Sequence, residues 1–277
     1  MRFGFSTNML IDLSLREALK VIAEHGFSYV EILADDPHAQ LCTARPAEYG
    51  GIAGLLDQLS VTASSVNANT VRCMGSTATD FQAFVPSLDT LDPRKRVKRI
   101  TYTRRAIKLA AILGAECCSI TSGPMPETGA NVRLSLLNES LGELIDYADE
   151  MGVKLAIEYE PGLLIGSFRE AWKLLKCHEM LWLNFDVGHA VVCGEDPVKI
   201  VRKASERIAH VHFEDIKGRE HVHLPPGEGD APLEEVVESL AQEGYKGTVT
   251  FELYSCADRP AHALKAAARF ANSHSQI

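Results

Sequence analysis

Eight short runs rich in β-branched and aromatic residues alternate with longer amphipathic runs along this chain of 277 residues. The short runs have the length of buried strands, and the longer runs carry apolar residues at helical spacing. The predicted strands are 3–7, 29–33, 60–66, 117–121, 154–159, 181–187, 208–213 and 248–253. The predicted helices are 15–24, 47–58, 94–113, 132–150, 168–177, 198–206, 233–242 and 261–272. Eight βα units predict an α/β protein, a single (β/α)8 barrel (TIM barrel) that spans residues 1–277 as one domain.

A doubly wound open sheet is the other architecture that repeated βα units can form. Such a sheet would need a glycine-rich phosphate-binding turn after its first strand. The segment Gly4-Phe5-Ser6-Thr7-Asn8 occupies the expected position of that turn and contains no GxGxxG pattern. The sequence therefore favours the closed barrel.

Composition and charge argue against several classes of partner. The chain has 28 Lys and Arg against 37 Asp and Glu, and a net charge of −9 disfavours general binding to nucleic acid. No apolar run is long enough to span a bilayer, so we expect no membrane partner. The seven scattered cysteines form no CxxC, and the first residues lack the apolar segment of a secretory signal. We therefore expect a cytoplasmic protein; a homo-oligomer is compatible with the sequence.

The last four predicted strands alternate between apolar and polar residues. Side chains alternate between the two faces of a strand, and the apolar face must pack on the helices. The polar face must then point into the barrel, although most barrels fill this interior with branched aliphatic residues. Buried charge of this kind must be paired, hydrogen-bonded or bound to a metal. The polar residues near the strand ends are Glu158, Asp186, His212 and Glu252.

These four residues lie at matching positions on four consecutive strands, which favours a metal site. Three carboxylates and one imidazole form an oxygen-rich set that suits Mn²⁺ or Mg²⁺ and is compatible with Co²⁺ or Zn²⁺. The alternative is a metal-free network of buried ion pairs with Lys154 and nearby arginines.

Other polar residues have positions near the same end of the barrel. His189 follows the sixth strand, and we predict that it contacts substrate. His210 shares the inward parity of the seventh strand but lies one layer deeper, which predicts a hydrogen-bonded interior histidine. Glu31 has inward parity on the second strand and is a candidate for polar lining. His221 and His223 lie in a loop, where each is either solvated or in contact with the ligand; we take His223 as the candidate.

Two further features bear on the substrate. A phosphate would need cationic donors, and the candidates are Lys217, Arg219 and the run Arg94-Lys95-Arg96. We take Lys217 as the candidate substrate-binding residue, although a basic helix face is usually only solvated. The longest irregular stretch, residues 70–93, is either an active-site lid or a surface insertion.

A set of motifs in the chain resembles one known superfamily. They are 156–158 (AIE), 184–190 (NFDVGHA), 210–215 (HVHFED), 226–230 (PGEGD) and 247–254 (GTVTFELY). In this order they resemble the xylose-isomerase-like TIM-barrel superfamily, and the resemblance extends over essentially the whole chain. That superfamily includes sugar phosphate isomerase/epimerases, ketose 3-epimerases, inosose dehydratase, hydroxypyruvate isomerase and endonuclease IV.

The resemblance implies roles for individual residues. In ketose epimerases the matching Glu, Asp, His and Glu bind one divalent metal ion, which implies that Glu158, Asp186, His212 and Glu252 are metal ligands. The two glutamates also act as acid and base in that group, and the histidine after the aspartate contacts substrate. Glu158 and Glu252 are therefore the expected catalytic residues, and His189 is an expected substrate-binding residue.

Endonuclease IV differs from this pattern because it holds three zinc ions with additional histidines from strands three and four. The third strand here ends in 64–69 (SSVNAN) and the fourth in 119–123 (SITSG), and neither contains a histidine. Together with the net charge of −9, this disfavours DNA repair.

The expected function is that of a divalent-metal-dependent sugar or sugar phosphate isomerase or epimerase. It would abstract a proton next to a carbonyl and proceed through an enediolate. The first alternative is a metal-dependent dehydratase or lyase that acts on a keto-sugar or inosose with the same residues. A non-catalytic sugar-binding barrel is the second. In each case the partner is a small carbohydrate.

Overall fold

The structure is a computed structural model that describes residues 1–69, 71–75 and 81–275. Eight parallel strands close into a barrel in chain order, and β8 pairs with β1 through Phe3 and Val249. The strands are β1 (Arg2–Ser6), β2 (Tyr29–Leu33), β3 (Thr62–Asn67), β4 (Cys117–Ile120), β5 (Lys154–Ile157), β6 (Trp182–Asp186), β7 (Ile208–Phe213) and β8 (Thr248–Phe251). The predicted (β/α)8 barrel is confirmed, and the open-sheet alternative is wrong.

Helices follow the strands around the outside of the barrel. In the described part of the chain they are α1 (Leu15–Glu24), α2 (Gly50–Leu59), α3 (Pro93–Leu113), α4 (Ala130–Glu150), α5 (Phe168–Cys177), α6 (Val187–Val192), α7 (Pro197–Ala204), α8 (Leu233–Gln242) and α9 (Pro260–Ser273). Each of the eight predicted helices corresponds to one of these. The short helix α6 was not predicted, because it begins where the sixth strand ends and has too few residues for a helical pattern. None of the described helices combines the length and the apolar character needed to cross a bilayer.

Local sequence signals fix several helix ends. Ser14 and Glu17 form a reciprocal capping box at the start of α1, and the side chain of Asp92 accepts hydrogen bonds from the first turn of α3. Helix α3 ends at Gly114, which adopts a left-handed conformation with φ of 71°. Each signal satisfies backbone groups that the helix itself leaves unpaired.

The alternation of residue types along the strands decides what faces the helices and what faces the barrel axis. Phe213, Phe251 and Phe270 pack against one another between the strands and α9, with ring centroids 5.3–6.2 Å apart. The alternate residues of β7, His210 and His212, are buried in the interior at 1% and 0% exposure. The predicted inward orientation of the polar face is confirmed for β7.

The described start of the loop after β3 is bound to a residue that follows β2. The Asp35 carboxylate accepts the backbone N–H groups of Val71, Arg72 and Cys73 at 2.7–2.9 Å, which holds the described start of this loop. Phe84 follows in a short 3-10 helix, Phe81–Phe84. The predicted lid, residues 70–93, includes Thr70 and residues 76–80, which lie outside the described residues. Its role as a lid stays a prediction.

Candidate active site

The four predicted metal ligands converge at the carboxyl ends of strands β5 to β8. Each offers a ligand atom within 4.8 Å of the other three. His212 Nδ1 lies 2.9 Å from Glu158 Oε1 and 3.5 Å from Glu252 Oε2. Asp186 and His212 are fully buried, and Glu158 and Glu252 are 3% and 6% exposed. The barrel thus brings three carboxylates and one imidazole together in a space that water barely reaches.

The chemistry of this cluster fits a divalent cation. Burying three carboxylates is costly unless a positive charge compensates them. Among the described residues, no Lys or Arg forms an ion pair with any of the three, and the side-chain hydrogen-bond neighbour of Asp186 is another carboxyl group, that of Glu214. Lys154, which the ion-pair alternative requires, lies at the start of β5 with its ammonium 4.3 Å from the Trp182 ring centre. The position of Lys154 and the absence of a Lys or Arg partner among the described residues favour a metal site over that alternative.

Three asparagines hold the two glutamates. Asn8 and Asn67 both donate from Nδ2 to Glu252 Oε1, at 2.9 and 3.2 Å. Asn69 donates to Glu158 Oε2 at 3.1 Å. Sequence reasoning missed these three residues; the available signal was their position at or within two residues of the ends of β1 and β3, at the same end of the barrel. Their amides leave the second oxygen of each glutamate facing the cluster.

The local charges shift the pKa of several groups. Burial alone lowers the pKa of His212, but Glu252, Glu31 and Glu158 outweigh it and raise that pKa well above its ordinary value. Burial, reinforced by Glu158 and Glu31, raises the pKa of Glu252 well above the usual range of a carboxyl group. Burial also raises the pKa of Glu160 to about 7. Carboxyl groups with a raised pKa can hold a proton near neutral pH, as acid–base catalysis requires.

A cavity of about 260 Å³ opens over the cluster. Its polar lining includes Glu158, Glu160, His189, His223 and Glu252, together with the three asparagines. Its apolar wall consists of Ile11, Leu33, Val71 and Phe84. A polar side with several hydrogen-bonding groups and a small apolar wall suits a small polyhydroxylated molecule.

The predicted substrate-contacting histidines both line this cavity. His189 is buried; its Nδ1 donates to the carbonyl of Tyr159 at 2.9 Å, which leaves Nε2 3.0 Å from Nε2 of His221. His223 Nδ1 donates to the carbonyl of Glu252 at 2.7 Å. The half-buried His221 lies between them and is not a freely solvated loop residue.

The predicted phosphate donors lie elsewhere. Lys217 is exposed on the loop after β7 and does not line the cavity. Arg219 packs its guanidinium over Gly194, and the run Arg94-Lys95-Arg96 lies at the outer start of α3. Among the described residues that line the cavity, Arg72 is the one with a lysine or arginine charge, and its side chain is exposed at the mouth.

Two acidic residues after β7 were not assigned a role from the sequence. Glu214 is buried and accepts the backbone N–H of Gly188 at 2.6 Å, behind Asp186. Asp215 accepts backbone N–H groups of Gly227, Gly229 and Ala231 at 2.9–3.1 Å and so fixes the loop that carries His221 and His223. The signal for Asp215 was the pair of glycines, Gly227 and Gly229, in the loop after β7, since glycine allows close approach of the backbone.

A family model described as "Xylose isomerase-like TIM barrel" matches residues 19–274. The chain belongs to this family. The resemblance that the motifs indicated is thereby confirmed.

Among curated proteins similar to this chain, fructoselysine 3-epimerase of Shigella flexneri is 26% identical over 247 residues, which is 87% of this chain and 86% of that protein. An uncharacterised protein of Methanocaldococcus jannaschii, MJ1311, is 28% identical over 91% of this chain and 83% of its own length. Inosose dehydratase of Clostridium botulinum is 31% identical over 137 residues, which is 43% of this chain and 46% of the dehydratase. The relatives therefore include both sugar epimerases and inosose dehydratases.

Solved structures of other proteins superpose on the whole barrel. A D-tagatose 3-epimerase-like protein matches with a TM-score of 0.78 and 26% identity, over 99% of this chain and 100% of that one. The IOLI protein, solved with a bound zinc atom, matches with a TM-score of 0.75 and 18% identity over 99% and 96% of the two chains. The second comparison supports the shared fold only.

Proposed function

We propose that this protein is a divalent-metal-dependent sugar isomerase or epimerase that abstracts a proton next to a carbonyl and proceeds through an enediolate. The observation that carries the proposal is the convergence of Glu158, Asp186, His212 and Glu252 under a small polar cavity. The relatives named as sugar epimerases support the same class of reaction. We propose Mn²⁺ or Mg²⁺ as the ion, since oxygen ligands predominate in the set.

The residues of the chain divide the reaction between them. A bound divalent ion would polarise the substrate carbonyl and acidify the neighbouring C–H bond. One of Glu158 and Glu252 removes the proton and the other returns it, while the asparagine amides hold both carboxylates in place. His189 and His223 bind hydroxyl or carbonyl oxygens of the substrate. Return of the proton to the opposite face of the same carbon gives epimerisation, and delivery to the neighbouring carbon gives isomerisation.

We propose an unphosphorylated sugar as the substrate. The cavity carries the carboxyl groups of Asp36, Glu158, Glu160 and Glu252, and Arg72 supplies a single cation at its mouth. The residues outside the described ranges are Thr70, 76–80 and 276–277, and their sequence contains no Lys or Arg. A phosphate group would therefore find no cluster of lysine or arginine donors in this cavity, which disfavours its binding.

A dehydratase is the second candidate, and Glu160 favours it. This carboxyl group lines the cavity beside Glu158, and burial raises its pKa to about 7. A carboxyl group that holds its proton at neutral pH can protonate a departing hydroxyl, which elimination of water requires and epimerisation does not. Relatives of this chain that are named inosose dehydratase support this second candidate.

The test is a screen of keto-sugars, inososes and their phosphates with the metal-loaded enzyme in D₂O. NMR would follow solvent deuterium as it enters one carbon of the substrate. We expect deuterium together with an epimer or isomer of an unphosphorylated sugar; loss of water would assign the dehydratase instead. The chelator-treated enzyme is the control. A protein that contains no stoichiometric ion and exchanges no proton with any sugar would be a binding barrel, and the proposal would be wrong.

A further inference from the structure

Glu31 is a buried carboxylate that the proposed reaction does not use. It lies on β2 at 0% exposure and points across the barrel interior towards β7. Its Oε2 lies 2.9 Å from His212 Nε2 and 3.4 Å from His210 Nε2, and the Ser65 hydroxyl donates to the same oxygen. Its Oε1 accepts a hydrogen bond from Ser6 Oγ at 2.9 Å. A desolvated carboxylate needs such donors, and here one of them comes from a proposed metal ligand.

Both ring nitrogens of His212 face a carboxylate at 2.9 Å, Nε2 that of Glu31 and Nδ1 that of Glu158. An ionised carboxylate only accepts hydrogen bonds, so each nitrogen carries a proton when no ion is bound. An ion held by the other proposed ligands would take the place of the proton on Nδ1 and would leave the Nε2 proton for Glu31. The Asn184 amide lies 3.2 Å from Nδ1 and 3.4 Å from Nε2 and so does not distinguish the two nitrogens. Nδ1 is the atom that points at Glu158, Asp186 and Glu252, at 2.9, 3.9 and 3.5 Å.

We propose that Glu31 is the positioning residue of the metal centre. It accepts a hydrogen bond from the Nε2–H of His212 and thereby directs the lone pair of Nδ1 towards the ion. Metal-binding histidines commonly donate their other ring N–H to a carboxylate, which fixes the ring and raises its basicity as a ligand. This inference rests on the proposed metal centre, and it adds a residue from the opposite side of the barrel.

Glu31, His210 and His212 could also be read as a separate metal-binding group, because their ligand atoms lie within 4.8 Å of one another. An ion there would have to take the Nε2 position of His212. With a second ion at Nδ1, His212 would then have to lose both ring protons. The serine and histidine donors around Glu31 already satisfy its oxygens, so one ion per chain is expected.

The test compares Glu31→Gln with His210→Gln. Glu31→Gln keeps the shape of the side chain but removes its charge, and we expect the affinity for Zn²⁺ or Co²⁺ to fall about 10- to 100-fold in chelator competition. His210→Gln replaces the other imidazole beside Glu31 and leaves the contact between Glu31 and His212 in place. The affinity of this variant for the metal ion should stay within a few-fold of wild type. Loss of the ion in His210→Gln, or two ions per wild-type chain, would assign the separate group and overturn the proposal.

A second measurement needs no variant, so the proposal stays testable if Glu31→Gln fails to fold. Long-range ¹H–¹⁵N NMR of the Zn²⁺-loaded wild type should show His212 with a protonated Nε2 and a metal-bound Nδ1.

Where Glu31→Gln folds, the Co²⁺ absorption spectra of wild type and of this variant should differ, whereas a merely structural role would leave the spectrum unchanged. An Nδ1–H form of His212, or unchanged affinity in Glu31→Gln, would overturn the positioning role. Wild type that binds no ion would instead refute the metal centre itself.

Discussion

Glu158 and Glu252 both face Nδ1 of His212, and asparagine amides hold each of them. Glu→Gln at either position keeps an oxygen ligand but removes the base. We expect Glu158→Gln and Glu252→Gln to retain metal and to lose substrate proton exchange with D₂O by about 100-fold or more, which is the usual contribution of a general base. NMR of the substrate and metal analysis of the protein measure the two quantities.

The matched control for these variants is Glu150→Gln, which makes the same chemical change on the exposed end of α4. It should exchange at the wild-type rate. If both active-site variants bind metal and still exchange at that rate, another group is the base, and Glu160 is then the first to examine.

His189 lines the cavity but keeps its Nδ1 engaged with the Tyr159 carbonyl. Its backbone N–H, rather than its side chain, donates to Asp186 Oδ1 at 2.6 Å, and alanine would preserve that bond. We therefore expect His189→Ala to raise KM or lower kcat while the metal content stays near that of wild type. Loss of the ion in this variant would show that the imidazole is a ligand and not a substrate contact.

At the scale of single elements, the short helix α6 determines the position of Asp186. Asp186 caps this helix through the N–H of His189, and the next residue but one, Gly188, lies against Glu214. A Cβ on Gly188 would collide with the Glu214 carboxylate, which is fully buried. We expect Gly188→Ala to lower the free energy of unfolding by roughly 1–3 kcal/mol, the usual cost of overpacking, and to weaken metal binding through Asp186.

Gly142→Ala is the matched control, since Gly142 lies inside α4 and a Cβ there would meet nothing within 4 Å. It should raise the free energy of unfolding by about 0.5–1 kcal/mol, because glycine is a poor helix former. Urea unfolding of both variants tests the pair. A Gly188→Ala protein as stable as Gly142→Ala would contradict the tight packing described for α6.

At the scale of the whole molecule, the buried histidines make stability depend on pH. Burial lowers the pKa of His223 to about 3 and that of His221 to about 4. The unfolded chain binds protons at these sites below about pH 6.5, and the folded chain does not. Both residues therefore stabilise the fold fully above that pH, and this contribution is lost as the pH falls towards 4.

The pH effect is best measured as a difference, because the raised pKa of Glu160 acts with the opposite sign between about pH 4.5 and 7. His223→Asn keeps a donor for the Glu252 carbonyl but cannot titrate. Between pH 6.5 and 4.5 the metal-free wild type should lose about 2 kcal/mol more unfolding free energy than this variant. Urea unfolding at the two pH values, in chelator, checks this. Equal losses would mean that the pKa of His223 is the same in the folded and the unfolded chain.

The sequence was sufficient for the architecture because the relevant signals are local. A strand presents alternate residues to opposite faces whatever its neighbours are, so the parity of 208–213 placed His210 and His212 inside the barrel before any pairing was known. Capping at Ser14 and the glycine at 114 depend only on adjacent backbone groups. For the same reason the four converging residues could be selected from their positions at strand ends.

Only the tertiary structure decided how those residues meet. Glu31 and His212 are separated by 181 residues. Their contact exists because the barrel closes and leaves only β1 and β8 between β2 and β7. The amides of Asn8 and Asn67, the exclusion of Lys217 from the cavity and the choice of Nδ1 as the facing nitrogen of His212 have the same origin. Strand periodicity specifies the face on which a side chain lies, whereas distances between atoms on different strands depend on the register and closure of the whole barrel.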